Sequence, residues 1–371
     1  MLVSVGAVIE EPGPDPHAFA QLLCDWCLEA RAGQQVLVVM APPALPLAKA
    51  LNVALLERGA WTLMRPAPET FAEDFYRHAR PEQLDDFPPL ELAEAQGADA
   101  LIRIDSPINT RGLAGVDPAL LARAARARQP VQEARLDLRW CGTLWPTPAL
   151  AQQAGMSERD YAALVRRALF LERPDAIAAW RELSARQREL VSLLAEGSEI
   201  RIEADGTDLR LRVDGRRWIN SDGKRNMPSG EVFTGPHEDS AQGTIRFGVP
   251  SSPRGVEVND VELRFERGQV VSARAGRGQA YLEAALATDN GARFLGELGI
   301  GTNAGIDRAT GSILLDEKIA GTVHLALGRS YPETGGENVS ALHWDLICDL
   351  RTGGRLSVDG QTLNENGHFV Q

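Results

Sequence analysis

Nowhere in the 371 residues is there an uninterrupted apolar run of about 18 residues, so no membrane-spanning helix is expected. Basic charge is also scarce. The chain has 39 Lys and Arg against 51 Asp and Glu, a net charge of −12, which argues against a nucleic-acid or anionic-membrane partner. Its 4 cysteines are too few for a disulfide scaffold at this length, and a reducing cytoplasm is the expected location. Cys24 and Cys27 form C-x-x-C in FAQLLCDWCLEA, but no second pair completes a zinc knuckle, so plain helix packing is expected. No G-x-G-x-x-G follows the first strand pattern and no G-x-x-x-x-G-K-[ST] occurs, which removes the usual nucleotide signals. The absence of G-x-S-x-G, and of a cysteine in a nucleophile setting, disfavours serine and cysteine hydrolases. The opening MLVSVGAVIEEPGPDP lacks a basic n-region and carries Glu10, Glu11 and Asp15, unlike a secretory leader.

What is present divides in two. Up to about residue 196, helical and strand patterns alternate. HAFAQLLCDWCLEARAG reads as a helix ending at Gly33, QQVLVVMAP as a buried strand, LPLAKALNVALLERGA as a helix and WTLMRP as a strand. ELAEAQGADALIRID repeats helix then strand, and ARLDLRWCG offers a further strand. DPALLARAARARQP opens on an Asp117 cap with Pro118 behind it and is expected to stop at Pro130. Ser157 caps one later helix, and Gly197 follows another. Beyond, apolar and polar residues alternate around Asp205-Gly206, a hairpin signal, and the period of two continues through VELRFERGQVVSARAG, AGTVHLALG and GGRLSVDGQTL. The expected fold is an α/β N-terminal domain with a parallel sheet, residues 1–196, followed by a β-rich α+β metal-binding domain, residues 197–371.

Of 6 histidines, His17, His78 and His368 lie in polar surroundings and are expected at the surface. His237, beside Glu238 and Asp239, reads as an exposed loop. His343 and Asp345 in ALHWDLICDLR point to one face of a strand, while Leu342, Trp344 and Leu346 point to the other. Such a pair grips a metal, or else hydrogen-bonds within a core. His324 sits among Val323, Leu325 and Leu327, and Glu297 among Leu295, Leu298 and Ile300. Glu231 opens the apolar stretch Val232-Phe233. A carboxylate buried in such company needs a partner, and a cation is one. Two histidines, two glutamates and an aspartate suit Zn²⁺, Co²⁺ or Mn²⁺. Five ligands exceed the three of a mononuclear catalytic zinc site and fit two ions about 3.5–4 Å apart. Asp316-Glu317-Lys318 reads as a solvated turn.

SGEVFTGP, LGELGIGTN, DEKIAGTVHLALGRSYP and ALHWDLICDLR resemble the aminopeptidase T / aminopeptidase S family of thermophilic-type metallo-aminopeptidases, and LWPTPALAQQAGMSERDY resembles its N-terminal domain. The resemblance implies metal ligands at Glu231, Glu297, His324, His343 and Asp345, and a site tyrosine at Tyr331. It also implies two divalent ions per chain, a homodimer, and release of single N-terminal residues from short peptides. The segment between Glu297 and His324 is trimmed relative to the family, which bears on pocket shape and substrate preference. In the implied mechanism a metal-activated water attacks the scissile carbonyl, Glu297 is the general base, and Tyr331 either donates to the oxyanion or ligates weakly. The alternatives are a mononuclear-iron ring-cleaving dioxygenase on the same ligands and a non-catalytic, metal-stabilised binding protein.

Overall fold

The computed structural model describes residues 13–370, so residues 1–12 of the opening stretch 1–16, on which the expectation about a leader rests, lie outside the described residues. Four strands, Gln35–Met40, Trp61–Pro66, Ala100–Asp105 and Arg139–Leu144, pair in parallel. In space Gln35–Met40 lies between Trp61–Pro66 and Ala100–Asp105, and Arg139–Leu144 comes next. Val36, Leu37, Val38 and Met40 are all buried, as expected where helices cover both faces of a sheet. A fifth parallel strand, Asn226–Met227, joins beyond Arg139–Leu144 from far along the chain. The helix Leu45–Glu57 buries Leu47, Ala48, Leu51 and Leu55, a stripe at helical spacing.

Local chemistry sets the helix ends. Asp117 accepts the Ala119 N–H at 2.8 Å, and the Ser157 hydroxyl accepts that of Asp160 at 3.1 Å. The expected stop at Pro130 is displaced. The helix Pro118–Ala127 ends before it, and Pro130 lies in the first turn of a second helix, Gln129–Leu136, where a missing N–H costs nothing. Cys24 and Cys27 lie in a π-helical stretch, Leu23–Leu28, with no exposed surface, and burial pushes the Cys24 thiol up to about 12.

After the helix Ala176–Ala195 the strands pair antiparallel, apart from Asn226–Met227. Glu199–Ala204 and Thr207–Arg212 form the hairpin at Asp205-Gly206, within an eight-stranded sheet. The other sheet has the order His343–Asp349, Thr322–Gly328, Leu295–Gly301, Glu231–Thr234, Ile219–Ser221. One apolar cluster joins the two: Val232, Leu298, Ile300, Leu325, Leu327, Trp344 and Leu346 pack with Leu209, Ile245, Phe247, Leu263 and Phe265. The opposite face of the five-stranded antiparallel sheet is polar, and the candidate site lies there.

Candidate metal centre

Register brings the five ligand candidates together. Glu231 lies opposite Gly301, His324 opposite Gly299, Asp345 opposite Ala326, and His343 opposite Gly328. Alternation then puts Glu231, Glu297, His324, His343 and Asp345 on one face, with small residues opposite them. A bulge just before Glu297 turns Leu295 to the opposite, core face. Leu295 pairs with Leu327, but Glu297 pairs with Ala326, so two steps on one strand answer one on its neighbour. Gly296 permits the bulge, because a Cβ there would lie 2.3 Å from the Arg329 carbonyl oxygen. Gly299 makes room for a ligand, since its Cβ would fall 2.1 Å from the His324 ring.

Glu297 is central. One oxygen lies 3.5 Å from His324 Nε2 and the other 3.4 Å from His343 Nε2. His324 Nε2 is also 3.5 Å from Glu231, and His343 Nε2 is 3.6 Å from Asp345. The donor atoms thus fall into two groups, Glu231 with Glu317 and His324, and Glu297 with His343 and Asp345, each within 4.8 Å. His343 Nδ1 lies 2.8 Å from the Arg329 carbonyl, to which only a ring N–H can bond, so Nε2 is the nitrogen that faces the carboxylates and would be the one to ligate a metal.

The electrostatics favour a cation. Burial pushes the His324 and His343 rings down, but Glu297, with Glu231 and Asp345, outweighs it and lifts both to about 9. Burial raises Glu231 to about 7 against the pull of Lys318, and raises Asp345 to about 6 with help from Glu317 and Glu297. Glu297 moves the other way. Burial would raise it, but the two imidazoles hold it at about 2. Glu231 Oε2, Asp345 Oδ1 and both His324 nitrogens are buried without a hydrogen-bond partner among the described residues. Orphaned lone pairs that converge in a cluster of acidic groups fit a divalent cation.

Residues 15–370 match the sequence profile of the family described as thermophilic metalloprotease (M29). This chain belongs to the M29 family. The M29 chain is 33% identical to aminopeptidase 2 of Geobacillus stearothermophilus, over 93% of each chain. It is 31% identical to aminopeptidase T of Thermus thermophilus, over 69% of this chain and 71% of the relative. The solved structure of wild-type AmpT from Thermus thermophilus superposes with a TM-score of 0.83 at 26% identity, covering 96% of this chain and 99% of that one.

In the M29 chain the Tyr331 ring stands edge-on to His343 at 5.1 Å between centroids, and its hydroxyl lies 3.5 Å from His343 Nε2. The Phe233 ring also packs on it, with centroids 5.7 Å apart. His17, His78 and His368 are exposed, and His237 is part-buried, with Nε2 2.8 Å from the Asp214 carbonyl. The turn expected at Asp316-Glu317-Lys318 is not solvated. Asp316 accepts hydrogen bonds from the Thr310 N–H and hydroxyl, both at 2.7 Å, and from the Gly311 N–H at 2.8 Å. Lys318 has no exposed surface, and its ammonium lies 3.0 Å from Glu231 and against Glu317. Sequence reasoning missed Glu317 and Lys318. The available signal was Leu314-Leu315 before the run and Ile319 after it, flanks that argue against a turn in water.

Proposed function

We infer that this chain is a metal-dependent aminopeptidase, and we propose that it holds two divalent ions per chain. The ligands would be Glu231, Glu297, His324, His343 and Asp345, with Glu297 shared. The observation that carries this reading is the placement of Glu297, one oxygen toward each histidine, in the middle of two donor groups. A mixed imidazole and carboxylate set supports Zn²⁺, Co²⁺ or Mn²⁺ rather than a thiolate metal.

Ions bound there would polarise the scissile carbonyl and lower the pKa of a water toward neutrality. The chain's own groups do the rest. Glu297 is proposed as the general base, taking the water's proton on a carboxylate oxygen and passing it to the leaving amine. Glu317 is the second candidate, because it lies in the same donor group and its carboxylate keeps some exposed surface. Tyr331 is proposed to donate its hydroxyl proton in a hydrogen bond to the developing oxyanion. Burial pushes its phenol up, so it remains a donor through neutral pH. Phe233 and Tyr331 form a partly dry wall beside His343.

The substrate is proposed to be a short peptide with a free α-amine, drawn by the acidic pocket. A homodimer is proposed, as the sequence resemblance implies. A cytoplasmic location is supported by 4 free, buried cysteines, and a net charge of −12 supports the absence of nucleic-acid and membrane partners. A division at 196/197 is supported by the helix Ala176–Ala195 ending just before the first antiparallel strand, Glu199–Ala204.

The test uses aminoacyl-p-nitroanilides with free and acetylated amines. Activity on the free amine alone, lost with a chelator and restored by Zn²⁺, Co²⁺ or Mn²⁺, is expected. Turnover that survives complete metal removal would end this reading.

A further inference from the structure

Lys318 is an unusual neighbour for a metal centre. It has no exposed surface, and its ammonium contacts Glu231 and Glu317, both members of one donor group. The main chain fixes it there. The Lys318 carbonyl accepts the Asn303 N–H at 2.9 Å, and its own N–H donates to Leu315 at 3.1 Å. The next carbonyl, of Ile319, packs so closely on Gly301 that a Cβ there would lie 2.0 Å from it. The side chain is therefore aimed into the site from a rigid base. Among the described residues, the ion-pair partners of Glu297 and Asp345 are histidines alone.

We propose that Lys318 is a resident counter-cation that makes the two halves of the centre unequal, so that the Glu297–His343–Asp345 half holds its ion tightly and the Glu231–Glu317–His324 half exchanges its ion readily. This rests on the two-ion reading above. The argument is electrostatic. An incoming dication at the second half meets a fixed positive charge about a hydrogen bond's length from its ligand Glu231 and from Glu317 of the same donor group, where burial leaves little water to screen it. Glu231 keeps Oε2 free, but its other oxygen lies 3.0 Å from the ammonium and Glu317 accepts a hydrogen bond from it, so an ion there must share both carboxylates with a resident cation. At the first half, among the described residues, no lysine lies against Glu297 or Asp345. The ammonium has a second consequence. It offsets one of the two charges of Glu231 and Glu317 when the exchangeable ion is absent, so loss of that ion leaves a single net negative charge there rather than two.

The experiment adds Co²⁺ to chelator-stripped, full-length protein. Competition with a coloured chelator should give two binding steps at least about tenfold apart. Anomalous scattering from crystals grown with one equivalent should place cobalt beside His343 and Asp345. K318M should tighten the weaker step by at least about tenfold, bringing the two together. Two steps of equal affinity, first occupancy beside His324, or a weaker step unchanged in K318M would overturn the proposal. If K318M does not fold, the one-equivalent crystal of the unaltered chain decides alone. Binding of a single cobalt at saturation would instead overturn the two-ion reading, and this proposal with it.

Discussion

Glu297 has both oxygens turned toward imidazoles, and its neighbours hold it ionised down to about pH 2. E297Q removes both the proposed base and the charge between the two donor groups. It should cut kcat by about 10²–10⁴. Metal content measured on the same sample separates lost chemistry from lost ions. Retention of more than about a tenth of the activity at full metal loading would shift the base role to Glu317, which E317Q then tests directly. Gly299 gives a second, purely steric prediction. A methyl group placed 2.1 Å from the His324 ring must displace the ring or the strand. Gly299→Ala should cost about 1–3 kcal/mol in urea unfolding and weaken metal binding. Unaltered stability and metal affinity would show that the close approach is wrong.

At the scale of elements, the strand His343–Asp349 depends on the turn that feeds it. Asp289 accepts the Ser340 hydroxyl at 2.8 Å, the Ala341 N–H at 2.7 Å and the Gly291 N–H at 3.0 Å. Burial pushes the Asp289 carboxyl up, but these hydrogen bonds outweigh it and the net shift is downward. A carboxylate whose folded pKa lies below its unfolded value of about 3.9 stabilises the fold fully above that value. The contribution is lost as pH falls through the folded pKa. Asp289→Asn should therefore cost about 1 kcal/mol at pH 7, discounted because the group is only part-buried. The difference from the unaltered chain should shrink as unfolding is repeated at falling pH below about 4. A penalty that stays constant with pH would mean that the charge is irrelevant to the turn. Helix and strand types were largely legible in the sequence, because VLVVM is apolar throughout whereas TDLRLR alternates. The bulge was not legible. Strict alternation puts Leu295 and Glu297 on one face, and only pairing with Leu327 and Ala326 separates them.

For the whole molecule, the α/β part is not closed by its own residues. Its sheet takes Asn226–Met227 as an edge strand, and its core includes Met227, Ile306, Leu315 and Ile319. A fragment ending at residue 196 should therefore lack a sharp, cooperative thermal transition, as circular dichroism would show. A fragment that melts like a native domain would make the later residues ornamental to that core. Metal removal acts on the same scale. An ion that binds only the folded chain stabilises it by about 2.7 kcal/mol per site at 100 times its dissociation constant. The melting temperature should rise with free Zn²⁺, Co²⁺ or Mn²⁺ and fall on chelation. Indifference to both would mean that the ligands are not assembled by the fold.

The sequence by itself determined which residues carry donor atoms, because a glutamate or histidine amid Val, Leu and Ile is conspicuous wherever it falls. It also determined the phase of His343 and Asp345, since two residues along a strand return to the same face. Distance across the sheet was decided by the tertiary structure. Register set Gly299 against His324, Gly301 against Glu231 and Glu297 against Ala326, while the bulge at Gly296 returned Leu295 to the core. The same packing drew Lys318 out of water, because its charge is tolerable in a buried place only where Glu231 and Glu317 surround it. Those partners come from separate stretches of chain, and no local pattern around residue 318 contains Glu231.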